Sequence, residues 1–142
     1  MAAVVNLARV RLEQEIKAAL ARADGVEMRH HVDGCAFWIA DIYKVALGKD
    51  PVDYLRGQFT TLAGALALIG PKGVSFACMK AARRIGWKRI APAEALTGDL
   101  GIMRTPAGCA LLIRYRDVWC GRIDLGFTAH PHERVVMAWS VC

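Results

Sequence analysis

Cys35 is the residue of this 142-residue chain that is best placed for covalent chemistry. It follows Asp33 and Gly34 and opens an apolar segment, 36–47, which predicts a buried helix ended by Gly48. A cysteine in the first turn of a helix lies beside unpaired N–H groups and the positive end of the helix dipole. Both lower the pKa of a thiol. The pattern therefore indicates a nucleophile, and a small buried hydrophobic residue is the alternative interpretation of Cys35.

A cysteine nucleophile needs a base, and the chain contains four histidines. His30 and His31 lie just before Cys35, and His130 and His132 lie in a predicted loop before the last strand. A histidine in a polar loop is more often solvated than catalytic, and only geometry decides whether one reaches the thiol. We therefore expect Cys35 to lack an imidazole partner.

The other polar chemistry of the chain is sparse. Its five cysteines are odd in number and irregularly spaced, without a C-x-x-C pair, which argues against a disulfide framework and a zinc site. We expect reduced thiols, no metal and no cofactor.

The elements that would position Cys35 follow from the hydrophobic periodicity. Helical spacing dominates about 1–97 and strand alternation about 98–142, which predicts a single α+β domain over 1–142, with helices packed on a C-terminal antiparallel sheet. The predicted helices are 6–23, 36–47, a short one from Asp50-Pro51, 61–69 and 75–85, and the predicted strands are 99–104, 109–116, 118–123 and 134–141.

The charge and hydropathy restrict the partners. The net charge is +6, but the basic residues are scattered and no aromatic residues alternate with them, so nucleic acid is an unlikely partner. A mean hydropathy of +0.27 indicates surface buried between subunits. No segment approaches the length of a membrane span, and we expect no signal peptide. The residues expected to contact an acidic neighbour are Lys80, Arg83, Arg84, Lys88 and Arg89.

Several motifs occur in a fixed order along the chain. After the Cys35 segment, 33–41, come Gly-x-Asp-Pro at 48–51, Leu-Arg-Gly-x-aromatic at 55–59, Gly-Asp at 98–99 and Ala-Trp at 138–139. This series resembles a family found in phage tail gene clusters, a divergent branch of the NlpC-type, papain-like cell-wall cysteine peptidases. The resemblance implies a papain-like fold with Cys35 in the nucleophile position.

The chain departs from that pattern at two positions. Gly34 separates Asp33 from Cys35, where the family has them adjacent, and Cys109 stands where NlpC-type peptidases have their histidine. A thiol is a poor general base, so Cys35 is a nucleophile that would be inactive without another partner. The alignment also predicts Cα atoms of Cys35 and Cys109 within about 10 Å, with both thiols reduced.

Two further residues belong to the family motifs. Asp41 falls in an apolar helix, so a buried Asp41 would need a partner, and Arg56 is expected to supply a bidentate structural ion pair. The resemblance as a whole implies a structural tail-tip protein of a phage or phage-like particle. Such a protein would assemble in the host cytoplasm, dock to hub and distal tail proteins, and reside in the virion tail. The alternative is an active peptidase that cleaves peptidoglycan stem peptides.

Overall fold

The structure, a computed structural model, describes residues 6–29, 35–106 and 108–142, without the side chains of Cys35, Leu62 and Leu66. The α-helices of the described residues are α1 (Leu7–Ala23), α2 (Cys35–Leu47), α3 (Leu62–Ile69) and α4 (Gly73–Ile85). The strands are β1 (Lys88–Ile90), β2 (Leu100–Thr105), β3 (Gly108–Tyr115), β4 (Val118–Ile123), β5 (Gly126–His130) and β6 (Val135–Ser140).

The strands form one antiparallel sheet in the order β1-β6-β2-β3-β4-β5. The predicted α+β class, with helices in the N-terminal part and an antiparallel sheet in the C-terminal part, is confirmed. The predicted start of the sheet near residue 98 is wrong, because β1 pairs with β6. This strand has only three residues and exposes Lys88 and Arg89, so it has no alternation to detect.

The prediction that His130 lies in a loop before the last strand is also wrong. Gly126–His130 form β5, the edge strand beside β4, and His130 is its last residue. Phe127 and Ala129 remain exposed at this edge, so the strand does not alternate between buried apolar and exposed polar residues.

Local signals set most helix ends. The Asn6 side chain accepts a hydrogen bond from the Arg9 N–H over 3.3 Å and caps α1. Gly48, with φ of +68°, follows the end of α2. The expected short helix at Asp50 begins later, as a 3₁₀ turn over Asp53–Leu55, because the Asp50 side chain accepts from the Val52 N–H and forms a turn.

The main core lies between the helices and one face of the sheet. Leu12, Ile16, Ile42 and Tyr43 are fully buried there, and α2 is apolar on most sides because it packs against both α1 and the sheet. A smaller cluster around Trp119 covers the opposite sheet face. All four tryptophans are buried, as expected of core residues.

Asp99 ties the two layers together. This carboxylate is 1% exposed and accepts hydrogen bonds from Arg9 Nη1 (2.6 Å), the Leu96 N–H (2.9 Å) and the Val141 N–H (3.1 Å). The start of α1, the start of β2 and the C-terminal segment are therefore held at one buried charge, whose pairing offsets the cost of its desolvation.

Candidate functional site

The candidate site is the start of α2, which begins at Cys35 as predicted. Four residues named in the sequence analysis (His30, His31, Asp33 and Gly34) lie outside the described residues, as does the Cys35 side chain. The helix that follows is well anchored, because Phe37, Trp38, Ile39 and Ala40 are all buried. A thiol in the first turn of a helix is in an environment that favours the thiolate.

The direction of α2 over the sheet follows from one hydrogen bond. The Tyr43 hydroxyl donates to the Gly98 carbonyl over 2.8 Å, and the Gly98 N–H donates to the Arg114 carbonyl over 2.8 Å. The C-terminal half of α2 thus lies above the Arg114 end of β3. Ala36 is seven residues earlier, about 10 Å along the helix, and lines a cavity together with Leu111.

Cys109 lies at the opposite end of β3 from Arg114. It pairs with Arg104 across the β2–β3 hairpin, and its side chain packs, half-buried, against the main core with those of Leu111 and Ile113. Its thiol is free, as are those of Cys78, Cys120 and Cys142. The strand position that the resemblance assigns to a histidine therefore faces the helical layer and carries a thiol. The distance between Cys35 and Cys109 stays a prediction.

His130 lies towards the other end of the sheet, whereas His132 lies in the turn just before β6, whose first residue, Val135, pairs with Met103. His130 pairs with Trp119, which pairs with Arg114, so His130 is five residues along the sheet from Cys109 and two strands across. This separation is about 17 Å along and about 10 Å across. The His130 ring contacts the Thr128 hydroxyl at 3.0 Å, and His132 lies 3.6 Å from Glu133 in an exposed turn. His130 is therefore too far away to serve a thiol near Cys109, and the half-exposed His132 ring lies against Glu133.

Arg56 joins two carboxylates beside the start of α2. Its Nη2 lies 2.9 Å from Asp41 Oδ1, its Nε donates to Asp50 Oδ2, and its guanidinium lies 5.1 Å from the Phe37 ring centroid. Burial lowers the pKa of Arg56, but the hydrogen bond to Asp50 and the charge of Asp41 outweigh it and raise the pKa overall.

The ion pair between Asp41 and Arg56 exists, but its setting differs from the expected one. The Asp41 side chain is 51% exposed, whereas that of Asp50 is 11% exposed. Arg56 divides its donors between two carboxylates instead of binding one in bidentate fashion. This clamp fixes the segment that joins α2 to α3 against α2, which is a structural role.

A buried arginine was missed by the sequence analysis. Arg122 is 6% exposed and lies on the same sheet face as Cys120, which packs in the main core. Its Nη1 donates to the carbonyls of Ile123 (3.2 Å) and Gly126 (2.7 Å), and it has further interactions. Strand alternation could have predicted its burial, because Arg122 lies two residues after the core-facing Cys120. A charged residue is unusual at such a position.

The basic residues that were expected to contact a partner either interact with other residues of the chain or are exposed. Arg84 pairs with Asp53 at 2.6 Å, and Arg89 lies 5.6 Å from the Trp139 ring, so the predicted basic set is divided between α4 and β1. Among the described residues, no group of three or more His, Cys, Asp or Glu side chains could hold a metal ion. Within the same residues, every helix is too short or too polar to cross a membrane.

These features define an α+β domain with a cysteine-bearing helix start packed on an antiparallel sheet. The chain belongs to the DUF6950 family, a domain of unknown function, whose match covers residues 8–141. The match includes Cys35, Cys109 and the Arg56 clamp. No curated protein matches the chain.

Proposed function

We propose that the chain is a structural tail-tip protein of a phage or phage-like particle, with a degenerate NlpC-like fold used for docking. The observation that carries this proposal is the sheet register, which puts Cys109 at the helix-facing position near the start of β3 and His130 towards the opposite end. Papain-like catalysis needs an imidazole within about 3 Å of the thiol. His130 lies too far away to supply it, and the ring of His132 lies against Glu133, which favours a non-catalytic role.

The docking role is supported by an exposed apolar patch at one sheet edge. Leu125 and Val26 are 64% and 48% exposed, and Ile123 and Phe127 are exposed beside them. The Gly126 N–H bonds to the Val26 carbonyl, so the patch is built on fixed backbone. Exposed apolar side chains grouped on one part of a surface are typical of protein contact sites. We propose that this patch contacts the hub or distal tail proteins in the virion.

The second candidate is an active peptidase that cleaves peptidoglycan stem peptides, with Cys35 as the nucleophile. The observation that favours it is the helix start at Cys35, since this environment lowers a thiol pKa. The candidate base would be His30 or His31, which lie just before Cys35 in the sequence.

A paired experiment distinguishes the two functions. The purified protein is assayed on peptidoglycan zymograms, and phage carrying Cys35→Ser is compared in plaque counts with phage carrying the matched change at an exposed thiol, Cys142→Ser. We expect no hydrolysis by the unaltered protein and equal plaque counts for both variants. Lysis by the unaltered protein that is lost in Cys35→Ser alone would establish the peptidase instead.

Docking is tested separately by pull-down with the hub and distal tail proteins. Leu125→Asp should abolish capture, whereas Val45→Asp, at an equally exposed apolar residue of α2, should leave it intact. Equal capture by the unaltered protein and both variants would exclude this patch as the docking surface.

A further inference from the structure

An apolar cavity lies beneath α2, away from the exposed patch. It measures about 200 Å³ and is enclosed by α2, segment 51–59, α3 and α4. Its described lining side chains are aliphatic or aromatic apart from Cys78. The Tyr43 hydroxyl in its wall is already bonded to Gly98, and burial raises the pKa of Cys78 to about 12, so this thiol stays neutral.

The chemistry of this lining restricts what can enter. An apolar cavity of about 150 Å³ is large enough to bind benzene, so this one has room for a short alkyl chain. A peptide backbone would bring N–H and C=O groups that need partners, and the lining side chains supply few. The cavity therefore suits a hydrocarbon group.

The mouth of the cavity is basic. Tyr54, Leu68, Ile69 and Ala77 line both the cavity and a surface groove, so the two spaces adjoin and share a wall. Tyr54 and Leu68 are 47% and 45% exposed, which puts the opening at the surface.

Two lysines stand in the groove. Lys72 Nζ lies 4.6 Å and Lys80 Nζ lies 5.8 Å from the centroid of the Phe76 ring. Both ammonium groups therefore make cation–π contacts with the same ring. The groove lining contains no carboxylate among the described residues. The first turn of α4, which starts at Gly73 beside Lys72, adds the positive end of a helix dipole.

We propose that the cavity and the groove together bind a medium-chain alkyl carboxylate, with the chain in the cavity and the carboxylate between Lys72 and Lys80. Neither the apolar cavity nor the basic groove alone selects this ligand. Their adjacency does, because a ligand that occupies both must be apolar at one end and anionic at the other. The proposal rests on neither the docking patch nor Cys35 chemistry, although Ala36, the neighbour of Cys35, lines the same cavity.

The test compares octanoate with 1-octanol by calorimetry and by tryptophan fluorescence, since Trp87 lines the cavity. Octanoate is expected to bind the unaltered protein more tightly than 1-octanol does, and its binding should weaken as salt is added. The double variant Lys72→Met/Lys80→Met should bind octanoate about tenfold more weakly, with binding of 1-octanol unchanged. A matched double variant at exposed lysines elsewhere, Lys17→Met/Lys44→Met, should bind both like the unaltered protein.

Filling the cavity gives the second arm. Ala81→Leu, deep in the lining, and Ala77→Leu, where cavity and groove meet, should each weaken both ligands at least tenfold while the protein stays folded by circular dichroism. The protein should not co-sediment with vesicles of phosphatidylglycerol. The proposal would be overturned if the unaltered protein did not bind octanoate at about 1 mM. It would also be overturned if Ala77→Leu and Ala81→Leu both bound octanoate as the unaltered protein does, or if vesicles displaced bound octanoate.

Discussion

The Tyr43 hydroxyl donates a 2.8 Å hydrogen bond to the Gly98 carbonyl, and this contact fixes how α2 lies on the sheet. Tyr43 is fully buried, and Gly98 immediately precedes the buried carboxylate of Asp99. One side chain thereby connects the helix that begins at Cys35 with the loop that opens the sheet. The position of the Cys35 end over β3 depends on it.

Removing this hydroxyl should cost measurable stability. Tyr43→Phe keeps the ring but leaves the Gly98 carbonyl without its donor, so we expect the free energy of unfolding to fall by about 1–2 kcal/mol. Urea denaturation measures the change. Tyr115→Phe, at a half-buried strand tyrosine, is the matched control and should cost less. Equal losses would mean that the Tyr43 bond contributes nothing specific.

Gly98 should tolerate no side chain. Its φ is +99°, and an added Cβ would lie 2.5 Å from Leu12 Cδ1. Gly98→Ala therefore combines backbone strain with a clash in the core, and we expect a loss above about 2 kcal/mol. Gly108→Ala is the control, since Gly108 also has a positive φ, +134°, but faces open space. Thermal unfolding of both variants separates the clash from the strain.

The Arg56 clamp should govern the mobility of the segment before α3. Arg56→Lys keeps the charge but cannot reach Asp41 and Asp50 with separate donors, so we expect a loss of about 1 kcal/mol, reduced by the exposure of Asp41. Limited proteolysis between residues 51 and 59 should accelerate. Arg116→Lys, at an exposed pair with Glu13 away from this segment, should change neither property. Unchanged proteolysis in Arg56→Lys would contradict the clamp.

Two buried thiols should make the protein less stable at alkaline pH. Burial raises the pKa of Cys78 to about 12 and that of Cys120 to about 11, whereas an unfolded thiol titrates near 8.5. The folded state therefore holds protons that the unfolded state releases. This difference stabilises the folded protein fully below about pH 8.5. Above that pH, the free energy of unfolding falls by at most about 1.4 kcal/mol per pH unit for each thiol.

Unfolding measured between pH 8.5 and about 9.5 tests this, because a tyrosine of the unfolded state titrates only near pH 10. Burial first and Asp99 second raise the pKa of Tyr43 in the folded state, so Tyr43 lowers the stability only above that range. Cys78→Ala and Cys120→Ala should each remove about half of the slope. Cys142→Ala, at an exposed thiol, should leave it unchanged. A flat profile in the unaltered protein would contradict the assigned pKa shifts.

The sequence by itself determined the elements that have strong local signals. The Asn6 cap, the apolar run after Cys35 and the positive-φ glycines at 48 and 86 act through neighbouring residues, so helix ends could be predicted from them. Strand alternation identified four of the six strands. The partnership of Asp41 with Arg56 was also foreseeable, because an arginine and a carboxylate stood in neighbouring motifs.

Only the tertiary structure decided the rest, because it depends on pairing between distant segments. β1 exists through its bonds to β6, fifty residues later, and β5 through its bonds to β4, while neither has a pattern of its own. The same register sets Cys109 and His130 towards opposite ends of the sheet. The burial of Arg122, and the meeting of an apolar cavity with Lys72 and Lys80, likewise arise from packing between helices and sheet, which local sequence does not encode.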